Sequence, residues 1–183
     1  MLDFDSILRE YYVKGSDLYN LLVGHSKHVA DKAMDIIGKC GIVADEDFVY
    51  EAAMLHDIGI FKTYAPSIFC HGTEKYIRHG MIGRELLENM GYNRHALVCE
   101  RHTGSGITLE EIIAARLPLP HRDMLPLTVE EKLICYADKF FSKSKPGIEK
   151  PVDQIRKEMA HFGHSASERF EALHNMFSTN KCL

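Results

Sequence analysis

Apolar residues recur at spacings of three and four along nearly the whole of this chain, which commits it to helices packed against helices. The clearest run opens at an N-cap signal, Gly15-Ser16-Asp17. It continues through Leu18, Leu21, Leu22, His25, Val29, Ala33, Ile36 and Ile37, and Gly38 and Gly41 end it. Around it the pattern predicts a short amphipathic opener over 2–13 and a helix capped by Asp45, with Phe48, Ala52, Ala53 and Leu55 inward, broken at Gly59. Further helices are expected over 79–90 (stopped by Gly91), 93–102, 109–116 (capped by Thr108) and from a Thr128/Glu131 capping box through Phe141, with a last one over 151–177. Residues 60–76 read as an irregular loop with one helical turn. No strand pair is convincing, so the fold class is all-α. Residues 1–145 form one domain, and after the Lys145-Pro146-Gly147 linker residues 146–183 form a C-terminal helical extension packed on it.

A hydrophobic fraction of 45% over 183 residues is enough for a single well-packed core. The net charge of −4 leaves no broad basic field to grip a phosphate backbone, so no nucleic-acid partner is expected. No apolar run approaches the roughly 18 residues of a membrane span, and the opening Met1-Leu2-Asp3-Phe4-Asp5 is too acidic for a signal peptide. A cytoplasmic protein without a membrane partner is the expectation; the oligomeric state is open. The five cysteines (Cys40, Cys70, Cys99, Cys135 and Cys182) show no C-x-x-C spacing and read as reduced thiols that act as small hydrophobes.

Histidine is abundant, at 11 residues, and its positions carry chemistry. His56-Asp57 stands at a helix end within Leu55-His56-Asp57-Ile58-Gly59. Adjacent helix positions diverge by about 100°, so the two side chains can grip a metal pair from two sides, with the carboxylate bridging. His25 lies on the apolar face of its helix, His79 opens a helix in His79-Gly80-Met81-Ile82-Gly83, and His102 ends one before Thr103-Gly104. Asp138 is flanked by apolar residues, where a lone carboxylate is costly. Five helices that each offer an imidazole or carboxylate at an end or inward face are what a metal site inside a helical bundle needs.

The order His25 … His56-Asp57 … Asp138 resembles the H…HD…D signature of the HD-domain superfamily of metal-dependent phosphohydrolases. Leu55-His56-Asp57-Ile58-Gly59 is similar to its HDIG form, His25-Ser26-x-x-Val29-Ala30 to its first-ligand helix, and Tyr136-Ala137-Asp138-Lys139 to its last. The resemblance covers residues 18–142 and implies an HD-domain helical bundle with a metal site in its core. His79 and His102 stand where binuclear members supply two further imidazoles, among them HD-GYP phosphodiesterases, diadenosine tetraphosphate hydrolases and mixed-valent di-iron oxygenases. Small stand-alone HDIG proteins are the most similar group. Ile60 occupies the position where HD-GYP proteins and tetraphosphate hydrolases carry Lys, and no G-Y-P segment follows His102, which argues against cyclic di-GMP cleavage.

The resemblance implies two divalent transition-metal ions, drawn from Fe, Mn, Zn, Co or Ni because imidazole with carboxylate suits these better than Ca or Mg. His25, His56, Asp57 and Asp138 would bind one ion, and Asp57, His79 and His102 the second. Asp57 and Lys139 are the candidate catalytic residues. Lys139, Arg101, His28 and His71 are the candidate contacts to a small phosphorylated substrate, with Arg78 and Arg122 as further nearby cations. His95, His121 and His174 read as surface residues. The implied reaction is hydrolysis of a nucleotide or phosphodiester by a metal-activated water. Alternatives are a di-iron oxygenase on the same ligands and a non-catalytic nucleotide-sensing scaffold.

Overall fold

The computed structural model describes residues 2–178, and among them the chain is all-α. Its helices are α1 (Phe4–Arg9), α2 (Asp17–Cys40), α3 (Glu46–Leu55), α4 (His79–Asn89), α5 (Asn93–Arg101), α6 (Leu109–Ala114), α7 (Val129–Asp138), α8 (Val152–His161) and α9 (His164–Phe177). The segment between α3 and α4 is more ordered than a loop. It winds through a 3-10 turn, Ile58–Lys62, and a two-residue antiparallel pair, β1 (Tyr64–Ala65) with β2 (Cys70–His71). So short a pair leaves no period-two pattern for the sequence to display.

α2 is the axis of the bundle, and its boundaries follow from its caps. The Ser16 side chain accepts from the Tyr19 amide, and Gly41 closes the helix in the left-handed conformation at φ 58°. Its buried stripe runs Tyr19, Leu22, His25, Val29, Ala33, Ile36 and Ile37, so a histidine sits within an otherwise apolar row. One half of the stripe joins the larger core with Phe48, Val49, Ala52, Leu133, Ile134 and Phe140. The other half meets Leu8, Leu55, Ile58, Ile60, Leu87 and Cys99. The functional residues lie where these two cores adjoin.

Close backbone approach sets that junction. Gly59 does not break a helix as the sequence suggests; the chain continues into the 3-10 turn. A Cβ at Gly59 would run into the His79 carbonyl oxygen and the Gly83 amide nitrogen, and one at Gly80 into the Cys99 carbonyl. The two glycines let the end of α3, the start of α4 and the end of α5 press together backbone to backbone. Separate parts of the chain thereby deliver Asp57, His79 and His102 to one point.

Other local expectations need adjustment. Thr128 caps α7 by accepting from the Glu131 amide. The Glu131 carboxylate, however, accepts from the Leu127 amide and from Arg101, which leaves the reciprocal half of the capping box unmade. The final helix divides at Gly163, whose φ of 108° is barred to most residues. Ile155, Met159, Phe170, Leu173 and Phe177 from the two halves join the larger core; residues 179–183 of the expected extension lie outside the described residues. Cys70, Cys99 and Cys135 are free and buried. Cys40 is disulfide-bonded, which corrects its reading as a reduced thiol; it lies at the end of α2, partly buried against the rim of the larger core, whereas the other three are fully enclosed. Cys182 falls outside the described residues.

The packing at Gly59 can be tested directly. Gly59→Ala is expected to lower unfolding free energy by about 3 kcal/mol or more, because backbone on both sides must move. Gly38→Ala, in α2 with open space around it, is expected to raise it by about 0.5–1 kcal/mol. Urea unfolding midpoints of the two variants measure the contrast.

Candidate metal centre

Six side chains converge at the junction. His25 comes from the buried stripe of α2, His56 and Asp57 from the C-terminal end of α3, and His79 from the first residue of α4. His102 lies just beyond α5, and Asp138 is the last residue of α7. All six are buried, His56 and Asp57 completely. Their ligand atoms form two sets, His25/His56/Asp57/Asp138 and Asp57/His79/His102, with every atom in a set within 4.8 Å of the others.

Asp57 belongs to both sets and divides its oxygens between them. Oδ2 lies 3.2 Å from His25 Nε2 and 2.8 Å from His56 Nε2. Oδ1 lies 3.4 Å from His79 Nε2 and 3.5 Å from His102 Nε2. Asp138 Oδ1 closes the first set at 3.0 Å from His25 Nε2. One carboxylate with an oxygen facing each imidazole group is the geometry of a bridging ligand.

Three of the imidazoles are oriented by the same device. His56 Nδ1 donates to the Ala53 carbonyl at 2.7 Å, His79 Nδ1 to Tyr76 at 2.7 Å, and His102 Nδ1 to Cys99 at 2.8 Å. In each case the acceptor lies three residues earlier, close to a helix end for Ala53 and Cys99 and in a 3-10 turn for Tyr76. A carbonyl can only accept, so a proton is held on Nδ1 and Nε2 is the nitrogen that faces the centre. Ligand histidines in metal sites are commonly held this way.

The resulting arrangement is unbalanced without a cation. His79 Nε2 and His102 Nε2 face each other at 3.1 Å with both lone pairs inward. A shared proton does not settle between them easily: burial pushes the His79 pKa down to about 3 against the pull of Asp57, and burial lowers that of His102 as well. His25 Nδ1, His56 Nε2 and both Asp57 oxygens are buried without a well-formed hydrogen bond, and such groups are costly. Burial opposes the charge on His56, but Asp57 and Asp138 outweigh it and lift the pKa to about 9. Burial would likewise raise Asp57 and Asp138; adjacent positive groups (His56 and Lys143 for the first, Lys139 for the second) hold both carboxyls well below the usual range. Orphaned lone pairs of imidazole and carboxylate, converging in a buried pocket, fit divalent transition-metal binding.

The site opens at Asp138 into a cleft lined also by Lys139, Lys143, Ser142, Ser144 and Tyr76. Lys139 is buried, with Nζ 2.7 Å from Asp138 Oδ2 and 3.1 Å from the His102 carbonyl. Lys143, which sequence reasoning missed, places Nζ 2.5 Å from Asp57 Oδ2. It lies five residues beyond Asp138 in the Ser142-Lys143-Ser144 turn, where no helical period marks an inward position. Tyr76 was also missed; its ring stacks on His79 with centroids 4.7 Å apart.

The remaining candidates lie elsewhere. Arg101 Nη1 is held at 2.9 Å by both oxygens of Glu131, and Arg78 and Arg122 pair with Glu74 and Glu100. The structure therefore does not bring Arg101 into the cluster. His28 stacks on Phe141, one turn along α2 from His25. His71 is exposed on β2, in a surface depression that it shares with Tyr64 and Tyr76. His95 and His174, expected at the surface, are half-buried: His95 packs edge-on against Phe48, and His174 Nδ1 meets the Tyr136 hydroxyl at 2.8 Å.

The HD domain is recognised over residues 22–142, and the chain belongs to the HD-domain family. An uncharacterized protein of Methanocaldococcus jannaschii is 36% identical over 136 residues, which span 73% of this chain and 72% of that protein. A tRNA (cytidine(56)-2'-O)-methyltransferase of Thermoplasma volcanium is 32% identical over 160 residues, 86% of this chain and 42% of that protein. Its namesake from Picrophilus torridus is 32% identical over 169 residues, 91% of this chain and 44% of that protein. The chain thus spans less than half the length of either methyltransferase-named relative. No solved structure matches. Among the described residues no helix is long and apolar enough to cross a membrane.

The His56 pKa of about 9 has a measurable consequence. In the metal-free protein this imidazole is protonated at neutral pH, and a ligand imidazole must be neutral. Metal binding at pH 7 is therefore expected to release about one proton, and affinity to rise about tenfold per pH unit until about pH 9. Calorimetric titration with zinc or manganese, in buffers of differing ionisation enthalpy, reads the proton count.

Proposed function

We propose that this chain is a metal-dependent phosphohydrolase that acts on a small phosphorylated molecule, a nucleotide or a phosphodiester, at a binuclear His/Asp site. HD-family membership and the buried His/Asp cluster support a metal-dependent hydrolase-type function. The observation that carries the binuclear reading is the division of Asp57, with Oδ2 toward His25 and His56 and Oδ1 toward His79 and His102.

In this reading His25, His56, Asp57 and Asp138 hold one ion, and Asp57, His79 and His102 hold the other. A bound pair of Fe, Mn, Zn, Co or Ni ions supplies an activated water and polarises the phosphoryl oxygens. The protein's own groups do the rest. Backbone carbonyls lock three imidazoles with Nε2 inward, so the ligands need no reorganisation. Lys139, tied to Asp138 and the His102 carbonyl, fixes a positive charge between the metal set and the cleft. Lysines 139, 143 and 150 give the cleft a field that favours an anionic substrate. Burial lifts the Tyr76 pKa to about 12, which keeps its hydroxyl protonated as a donor to a phosphoryl oxygen. Among the candidate substrate contacts, Arg101 is committed to Glu131, so Lys139 and the cleft residues carry the anion in its place. The methyl-transfer activity named for two relatives supplies no argument about this site, since the match spans less than half of each.

The test combines metal content with turnover. Purified without chelator, the wild-type protein is expected to carry about two transition-metal ions per chain, and His102→Ala about one. Phosphate release from a panel of nucleotides and phosphodiesters is expected to fall by more than about a hundredfold in Asp57→Ala, since even outer-shell changes at metal sites reach that size. Oxygen uptake by the iron-loaded protein without phosphate release would replace the reading with an oxygenase. Nucleotide binding without turnover would replace it with a sensing scaffold.

A further inference from the structure

Lys143 holds a place in the site that a metal ion would contest. Its Nζ lies 2.5 Å from Asp57 Oδ2, and its side chain is only 12% exposed. That oxygen is the one shared with His25 and His56. Despite the short distance, neither Asp57 oxygen accepts a well-formed hydrogen bond. The ammonium supplies charge at Oδ2 without the directed bond that would fix it there. An ion held by His25, His56, Asp57 and Asp138 would claim the same lone pair and repel the ammonium.

The surroundings allow Lys143 to leave. It follows α7 in a tight turn, with Ser142 and Lys145 bridged, and Pro146 and Gly147 come next, the glycine at φ 74°. Its stem is four flexible carbons, and a cleft lined by Ser142, Ser144 and Tyr76 lies beside it. The other two cleft lysines are tethered away from the metal ligands' shared oxygen: Lys139 by Asp138 and the His102 carbonyl, Lys150 by Glu158 at 2.6 Å. Lys143 is the cleft cation whose carboxylate partner is the bridging ligand itself.

We propose that Lys143 is an exchanging cation. In the metal-free protein it neutralises Asp57; as the site loads it moves into the cleft, where its ammonium binds the phosphate oxygens of the substrate. The second half rests on the phosphohydrolase reading; the first rests on site geometry alone.

Lys143→Met keeps the stem and removes the charge, and Lys150→Met removes a charge from the same cleft without touching Asp57. Zinc and manganese affinities of the full-length variants are measured by competition with a chelating indicator. Lys143→Met is expected to bind metal at least about tenfold more tightly than wild type, since removing one partner of a buried ion pair destabilises the metal-free state. Its metal-free form is expected to melt at a lower temperature than wild type, and its metal-loaded form to be much less affected. Lys150→Met is expected to leave metal affinity unchanged. Calorimetric titration of the loaded proteins with inorganic phosphate is expected to show about tenfold weaker binding in Lys143→Met, in line with losing one charge-assisted contact. Unchanged or weaker metal binding in Lys143→Met, or equal tightening in both variants, would overturn the exchange. Unchanged phosphate binding in Lys143→Met would overturn the anchoring role. A loaded wild-type protein that binds no phosphate would remove the phosphohydrolase reading with it, while the metal-affinity comparison would still decide the exchange.

Discussion

A fully buried carboxylate, Asp57, sets the terms for the rest of this molecule. Removing such a group from water costs several kcal/mol unless charge and lone-pair partners surround it. Here the surroundings come from widely separated parts of the chain: imidazoles from α2, α3, α4 and the end of α5, and ammonium groups from the end of α7 and the turn beyond it. Each of these helices must end, turn or face inward where Asp57 needs it. The two cores on either side hold those helices in register, and the close approach allowed by Gly59 and Gly80 removes the last distance.

The site is organised by backbone as much as by side chains. Helix ends leave carbonyls without intrahelical donors, and His56 and His102 each use one to hold the Nδ1 proton, while His79 uses the Tyr76 carbonyl of the 3-10 turn before it. That explains why these histidines stand at helix boundaries. His25 stands mid-helix, where no such carbonyl is free, and its Nδ1 has no partner. Positive charge is placed as carefully as the lone pairs. The nearby arginines are neutralised by Glu74, Glu100 and Glu131, whereas lysines line the opening toward Asp138.

Much of the fold was legible in the chain because it is written locally. The caps at Ser16, Asp45 and Thr108, the stop at Gly41 and the stripe of α2 each depend on residues within a turn or two. Elements that depend on distant partners were not legible. The β1–β2 pair is too short to show a period, the Glu131 carboxylate was drawn from its capping role by Arg101, and Gly59 serves packing against α4 instead of ending a helix. His95 meets Phe48 of α3 and His174 meets Tyr136 of α7, contacts across helices that the local pattern does not show.

For the site itself, residue types in order along the chain singled out His25, His56, Asp57, His79, His102 and Asp138, since imidazole and carboxylate at helix ends and inward faces are chemically conspicuous. The sequence by itself determined the helical class and this set of candidate ligands, because periodicity and residue chemistry are local properties. Only the tertiary structure decided that Asp57 turns one oxygen to each imidazole group, that Arg101 belongs to Glu131, and that Lys143 reaches the centre. Those outcomes turn on ångström-scale distances between residues far apart in the chain, and packing alone sets such distances.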